Sequence, residues 1–234
     1  MTNTPGIAGT DERLGAVEVV LFDLDGTLID TMELILASMR HATAEVLGEA
    51  PPDHVLMHNV GVPLIEQMRE FDIERAEEML HVYRAHNETV HDDLVGEYPD
   101  TAKGLEALVQ AGYRLGVVTS KSKPVAQRGL DAFGLGSFFE TLVAYEDTDI
   151  HKPKAAPLLL AAERLGVEIE RCAYVGDSPH DMSAALAAGA VPVAALWGPF
   201  PTRVLEPGPA VAIGSLGELV EVLGKAAHAS GRVT

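Results

Sequence analysis

The stretch Val17-Glu18-Val19-Val20-Leu21-Phe22-Asp23-Leu24-Asp25-Gly26-Thr27 decides how this 234-residue chain is read. Residues 17–22 form a short, largely apolar run with three β-branched valines, of the kind that pleats into a buried strand. Two carboxylates follow, at Asp23 and Asp25. Alternate positions past a strand share a side, so both acids would look into one polar mouth. Gly26 lets the backbone turn tightly there, and Thr27 offers a hydroxyl and an N–H to an anion. An Asp-rich turn without a ligand is the plain alternative, but this order of residues behind a strand favours a site.

Working outward, residues 114–119, 171–177 and 191–196 repeat the apolar run, and the first two end in small or acidic polar residues. Helical patterns lie between them, at 102–111, 124–133, 155–165 and 181–188. Such alternation predicts an α/β fold with a Rossmann-like, doubly wound parallel sheet, whose ligands sit at the carboxyl ends of the strands. Residues 30–96 break the alternation. They read as helices only, at 32–47, 62–71 and 73–90, punctuated by Pro51-Pro52 and Gly61. The expected organisation is an α/β core of residues 1–29 and 97–234 with a small all-helical cap, 30–96, inserted after the first strand. The chain is expected to begin with a loose arm and to close with a short strand at 211–213 and a helix at 216–228.

Composition bounds the function. Apolar residues make up 47% and charged residues 22%, which is ordinary for a folded globular protein. Thirty-five acids against 17 bases leave a formal charge of −18, a field that speaks against nucleic acid or an anionic membrane as partner. A phosphorylated ligand would need a local device to draw it in. The single cysteine, Cys172, cannot form an internal disulfide and reads as a small buried hydrophobe, which suits a reducing cytoplasm. Residues 1–15 lack a basic and apolar leader, and no apolar run reaches the roughly 18 residues of a spanning helix, so a cytoplasmic location is expected. Six of the nine histidines fall within 30–96, but their spacing never gives a tight pair with a third ligand.

Three further segments carry chemistry. Thr119-Ser120, after the second core strand, could hold phosphate oxygens with hydroxyls and backbone donors, or could equally be a turn or cap. Lys152-Pro153 supplies a point charge that would offset a dianion and restrain an aspartate nucleophile. Gly176-Asp177-Ser178-Pro179-His180-Asp181 follows the third core strand, and its two acids are hard oxygen donors of the type that suits Mg²⁺. Helix capping by Ser178 or Asp177 is compatible with that reading.

These pieces in this order resemble the haloacid dehalogenase superfamily: Asp23-Leu24-Asp25-Gly26-Thr27-Leu28, then Val118-Thr119-Ser120, then Lys152-Pro153, then Gly176 through Asp181. The position of the insert is similar to that in the phosphoglycolate phosphatase branch. Glu33-Leu34-Ile35 with Ser38, and Tyr83 through Asn87 with His91 through Val95, look most like the bacterial inorganic pyrophosphatases of this superfamily. The resemblance implies that Asp23 is the phosphoryl-accepting nucleophile and Asp25 the acid and base. It implies Mg²⁺ held by the Asp23 carboxylate, the Asp25 backbone carbonyl and Asp177, with Asp181 in support. Thr119, Ser120 and Lys152 would bind the substrate phosphate. The substrate would be a small phosphorylated metabolite, with pyrophosphate and 2-phosphoglycolate as named candidates.

Dehalogenases of the fold lack the second aspartate, so Asp25 argues against them. Sugar phosphomutases keep it but carry a basic residue after a Gly-Val-Ser motif, where this chain has Gly61-Val62-Pro63-Leu64. Receiver domains of signalling systems, a non-enzymatic alternative, lack an acid two residues beyond the phosphorylated one. Arg40, His58, Arg69 and Arg84 are the candidates for setting specificity, and whether the chain works as a monomer or a homodimer is not legible.

Overall fold

The structure is a computed structural model and describes residues 11–231. In chain order its main elements are β1 (Val19–Phe22), β2 (Ile29–Asp30), α1 (Met32–Leu47), the single turn α2 (Asp53–Leu56), α3 (Leu64–Phe71), α4 (Ala76–Leu94), β3 (Gly96–Glu97), α5 (Thr101–Gln110), β4 (Arg114–Val118), α6 (Lys123–Ala132), β5 (Thr141–Val143), α7 (Ala156–Leu165), β6 (Cys172–Gly176), α8 (Pro179–Ala188), β7 (Val191–Ala195), β8 (Val211–Ile213) and α9 (Leu216–Ala229). Six strands form one sheet in the order β5-β4-β1-β6-β7-β8, and all its pairings are parallel.

Alternation along the buried strands sorts side chains into two layers. Val20, Phe22, Val117 and Val175 pack with Leu105, Leu108, Leu219 and Leu223 of α5 and α9 on one face. Val19, Leu21, Cys172 and Tyr174 pack with Leu158, Ala161, Ala184 and Ala185 of α7 and α8 on the other. Each fully buried aliphatic or aromatic side chain contributes roughly 1.5–3 kcal/mol, so the paired layers hold the strand ends in fixed register. Phe22 lies level with Val117 on one side and Val175 on the other. The chain therefore leaves β1, β4 and β6 side by side, and Asp23, Thr119 and Asp177 emerge at one edge. This is where the strand order reverses, the usual place for a ligand in an open α/β sheet.

The helical insert is fastened by a two-residue antiparallel ladder, Ile29 with Glu97 and Asp30 with Gly96. Between these strands α1 and α4 pack through Ile35, Met39, Ala42 and Val46 against Met79, Leu80 and Tyr83, an apolar cluster separate from the two core layers.

The predicted fold and insert are both present, with differences at the edges. The ladder of β2 and β3 and the edge strand β5 were not expected; at two or three residues each they are too short to show a period. The loose arm expected before residue 17 is ordered in part: Glu12–Ala16 form a 3₁₀ turn capped by Asp11, and Leu14 is buried. The rest of that arm lies outside the described residues. No helix among the described residues is long and apolar enough to cross a membrane.

Candidate active site

Four of the expected residues meet below the insert. The Lys152 ammonium donates to Asp23 Oδ1 at 2.8 Å, to Asp181 Oδ1 at 2.7 Å and to the Tyr174 hydroxyl at 3.0 Å. Asp23, Asp177 and Asp181 each bring a carboxylate oxygen within 4.8 Å of the others, and all three are buried. Asp181 is held by protein on both oxygens: Oδ2 accepts from the Ser178 N–H at 3.1 Å and its hydroxyl at 2.6 Å, closing the capping box that starts α8. Asp177 Oδ1 accepts from the Thr27 hydroxyl at 2.8 Å. Among the described residues no hydrogen bond reaches Asp23 Oδ2 or Asp177 Oδ2. Both acids line the cavity.

Two glycines make room for this packing. Gly26 adopts φ +82°, and a Cβ there would lie 2.6 Å from Asp177 Oδ2. A Cβ on Gly198 would lie 2.3 Å from the Asp177 Cβ.

The electrostatics are strained in one direction. Burial raises the Asp23 carboxyl to about 7; Lys152 opposes the shift while Asp181 and Asp25 add to it. Asp177 is raised well above the carboxylate range, again by burial first and then by Asp181 and Asp23. Burial works against the Lys152 ammonium, but the charges of Asp181 and Asp23 outweigh it, and its pKa rises. Three buried carboxylates thus face one ammonium. The remaining negative charge, carried on hard oxygen donors, matches what a divalent cation such as Mg²⁺ requires.

Asp25 lies outside that triangle. Its carboxylate is ion-paired with the Lys121 ammonium, and both side chains are largely buried. Thr119 lines the cavity, and its Oγ1 accepts from the Lys121 N–H at 3.2 Å. Ser120 also lines it, but its hydroxyl donates to the carbonyl of Gly61 in the insert at 2.8 Å. Lys121 and Tyr174 escaped the sequence reading. The available signals were weak: one more polar residue after Thr119-Ser120, and one hydroxyl in an otherwise apolar strand.

Above the acids lies a cavity of about 710 Å³, walled on the core side by the β4 loop and on the other by α3 and α4. Of the four specificity candidates, Arg69 and Arg84 line it. Arg40 instead pairs with Asp53 at 2.6 Å on the outside, and His58 lines a separate shallow pocket. Arg69 is tied to Glu66 at 2.6 Å, whereas Arg84 has no ion pair among the described residues.

A family model described as haloacid dehalogenase-like hydrolase matches residues 20–195. The chain belongs to that family. Haloacid dehalogenase-like membership, with the acid cluster in place, makes the chain a hydrolytic enzyme and sets aside the receiver-domain reading. The chain is 41% identical to pyrophosphatase PpaX of Bacillus velezensis over 189 residues, 80% of this chain and 86% of that one. It is 39% identical to pyrophosphatase PpaX of Halalkalibacterium halodurans over 166 residues, 71% and 77% of the two chains. A solved haloacid dehalogenase-like family hydrolase from Streptococcus pneumoniae superposes with a TM-score of 0.78 at 23% identity, over 88% of this chain and 98% of that one, and shares its fold.

Proposed function

We propose that this hydrolase is a Mg²⁺-dependent phosphatase that cleaves pyrophosphate through an aspartyl-phosphate on Asp23. One observation carries the reading. Asp23, which lines the cavity, is fixed by Lys152 through one oxygen, has no hydrogen bond on the other among the described residues, and stands beside Asp177 at the mouth of the sheet. The pyrophosphatases among its relatives support the choice of substrate.

In this reading Asp23 Oδ2 attacks phosphorus as the bond to the departing oxygen breaks, and Asp25 delivers the proton that the departing oxygen needs. Asp25 then takes a proton from water, whose oxygen attacks the same phosphorus and releases Asp23. Lys152, whose three N–H groups go to Asp23, Asp181 and Tyr174, keeps the nucleophile oriented and adds its positive charge, while the Thr119 hydroxyl and the Ser120 N–H stabilise the equatorial phosphoryl oxygens. Asp181 acts through Lys152, which it anchors. Asp23, the Asp25 backbone carbonyl and Asp177 would hold Mg²⁺, which when bound neutralises charge between nucleophile and phosphoryl group. Residues 30–96 serve as a cap that shuts bulk water out of the chamber.

Phosphate release from a panel of pyrophosphate, 2-phosphoglycolate, sugar phosphates and nucleotides, with Mg²⁺ present, tests the reading. Pyrophosphate is expected to give the highest kcat/KM. Preferential release from 2-phosphoglycolate would move the substrate within the same chemistry. Isomerisation of a sugar phosphate without net phosphate release would point to a mutase instead.

A further inference from the structure

Among the described residues five lysine and arginine side chains line the chamber above Asp23: Arg69, Arg84, Lys121, Arg128 and Lys152. Four of them are committed to carboxylates. Arg69 is held by Glu66 at 2.6 Å, Arg128 by Asp92 at 2.9 Å, Lys121 by Asp25, and Lys152 by Asp23 at 2.8 Å and Asp181 at 2.7 Å. Arg84 is the exception. It is exposed, and among the described residues it makes neither an ion pair nor a side-chain hydrogen bond. Glu77 and Glu88 share its wall of the chamber, about two turns before it and one turn after it on α4, and neither pairs with it.

The helical period places Arg84 over the site. Leu80, Arg84, Asn87 and His91 recur at three- and four-residue intervals along α4, and all of them line the chamber. Tyr83, the residue before Arg84, is buried in the apolar cluster of the insert and lines the chamber as well. Burial first, and then the charge of Asp25, raise the pKa of the Tyr83 hydroxyl, so this turn of α4 stands within electrostatic reach of Asp25. Asp25 is the group that would protonate the departing oxygen. The departing part of a substrate attacked by Asp23 therefore lies toward this turn.

A guanidinium presents five N–H donors in a planar fork that spans two oxygens of a phosphoryl or carboxylate group. We propose that Arg84 binds the second anionic group of the substrate, the one carried by the departing part. In pyrophosphate this group is the second phosphoryl; in 2-phosphoglycolate it is the carboxylate. The other four cations of the chamber are engaged, so Arg84 is the charge through which the insert selects a leaving group that bears an anion over one that does not. The inference rests on the proposed function and adds to it the residue that recognises the leaving group.

The test measures kcat/KM for pyrophosphate, 2-phosphoglycolate and phenyl phosphate, whose leaving group carries no second anionic group, in the full-length enzyme with saturating Mg²⁺. Arg84→Gln is expected to lower kcat/KM for pyrophosphate about 10-fold, the low end for hydrogen bonds to a charged group because the side chain is solvent-accessible, and to change phenyl phosphate by less than about two-fold. Arg84→Lys keeps the charge and loses the fork, and is expected to lose about three-fold on pyrophosphate. At an exposed helix position neither variant threatens folding. Equal losses on pyrophosphate and phenyl phosphate, or no loss on pyrophosphate, would overturn the inference while leaving pyrophosphate as substrate. A wild type that prefers 2-phosphoglycolate, with that preference lost in Arg84→Gln, would keep the contact, with a carboxylate as the bound group, and remove the pyrophosphate reading. A wild type that prefers phenyl phosphate to the other two would remove both.

Discussion

Lys152 is the residue on which the acid cluster depends. Its ammonium is the buried cation between Asp23 and Asp181, and breaking such a pair leaves uncompensated charge inside the protein. Lys152→Met is therefore expected to cost about 3–5 kcal/mol of stability by urea denaturation and to lower kcat about 10²- to 10³-fold. An unchanged urea midpoint would show that Asp23 and Asp181 do not need it. The cluster was legible in the sequence in proportion to how far each residue stood out locally. Asp23, Asp25, Asp177 and Asp181 did so because each is an acid in or just beyond a polar loop behind an apolar strand. Lys152 became visible only in their company. Lys121 did not, since its loop is polar throughout and its partner Asp25 lies 96 residues away in sequence. Tyr174 was hidden by its strand, whose pattern accounts for the ring and says nothing of the hydroxyl.

At the scale of elements, the side-chain hydrogen bonds between insert and core among the described residues are few: Ser120 to the Gly61 carbonyl, Arg203 to the His58 carbonyl, and Arg128 to Asp92 and Glu88, beside apolar contacts of Phe200 with the insert and Val95 with the core. So few hydrogen bonds are compatible with the cap role proposed for residues 30–96. Arg128 is the main reason, with His91 second, that Asp92 is held at about 2, below its ordinary 3.8. A carboxyl depressed in this way contributes its stabilisation fully above its ordinary value and loses it as pH falls through about 2. Arg128→Ala should move the Asp92 midpoint up toward 3.8, as read by NMR titration of its carboxyl carbon. A midpoint left near 2 would mean that His91 alone supplies the effect. The core strands and helices were readable because each carries a full period of apolar residues. The ladder of β2 and β3 was not, because two-residue strands have no period, and their pairing follows from where α1 and α4 leave the chain ends.

Across the whole molecule, a chain with formal charge −18 buries three of its 35 acids at one interior point and would hold a divalent ion there. Binding to the folded state alone stabilises it by mass action, about 2.7 kcal/mol when the ion stands at 100 times its Kd. Mg²⁺ should accordingly raise the Tm of the wild type, and Asp177→Ala should abolish most of that rise. Equal rises in both would take Asp177 out of the ion's shell. The proposed chemistry turns on Asp23 becoming covalently phosphorylated. Enzyme mixed with pyrophosphate and Mg²⁺, quenched in acid within milliseconds, digested and read by mass spectrometry, measures this directly. One phosphoryl group is expected on the peptide containing Asp23, absent in Asp23→Asn. Turnover with no phosphopeptide at any quench time, or with the group on another residue, would contradict it.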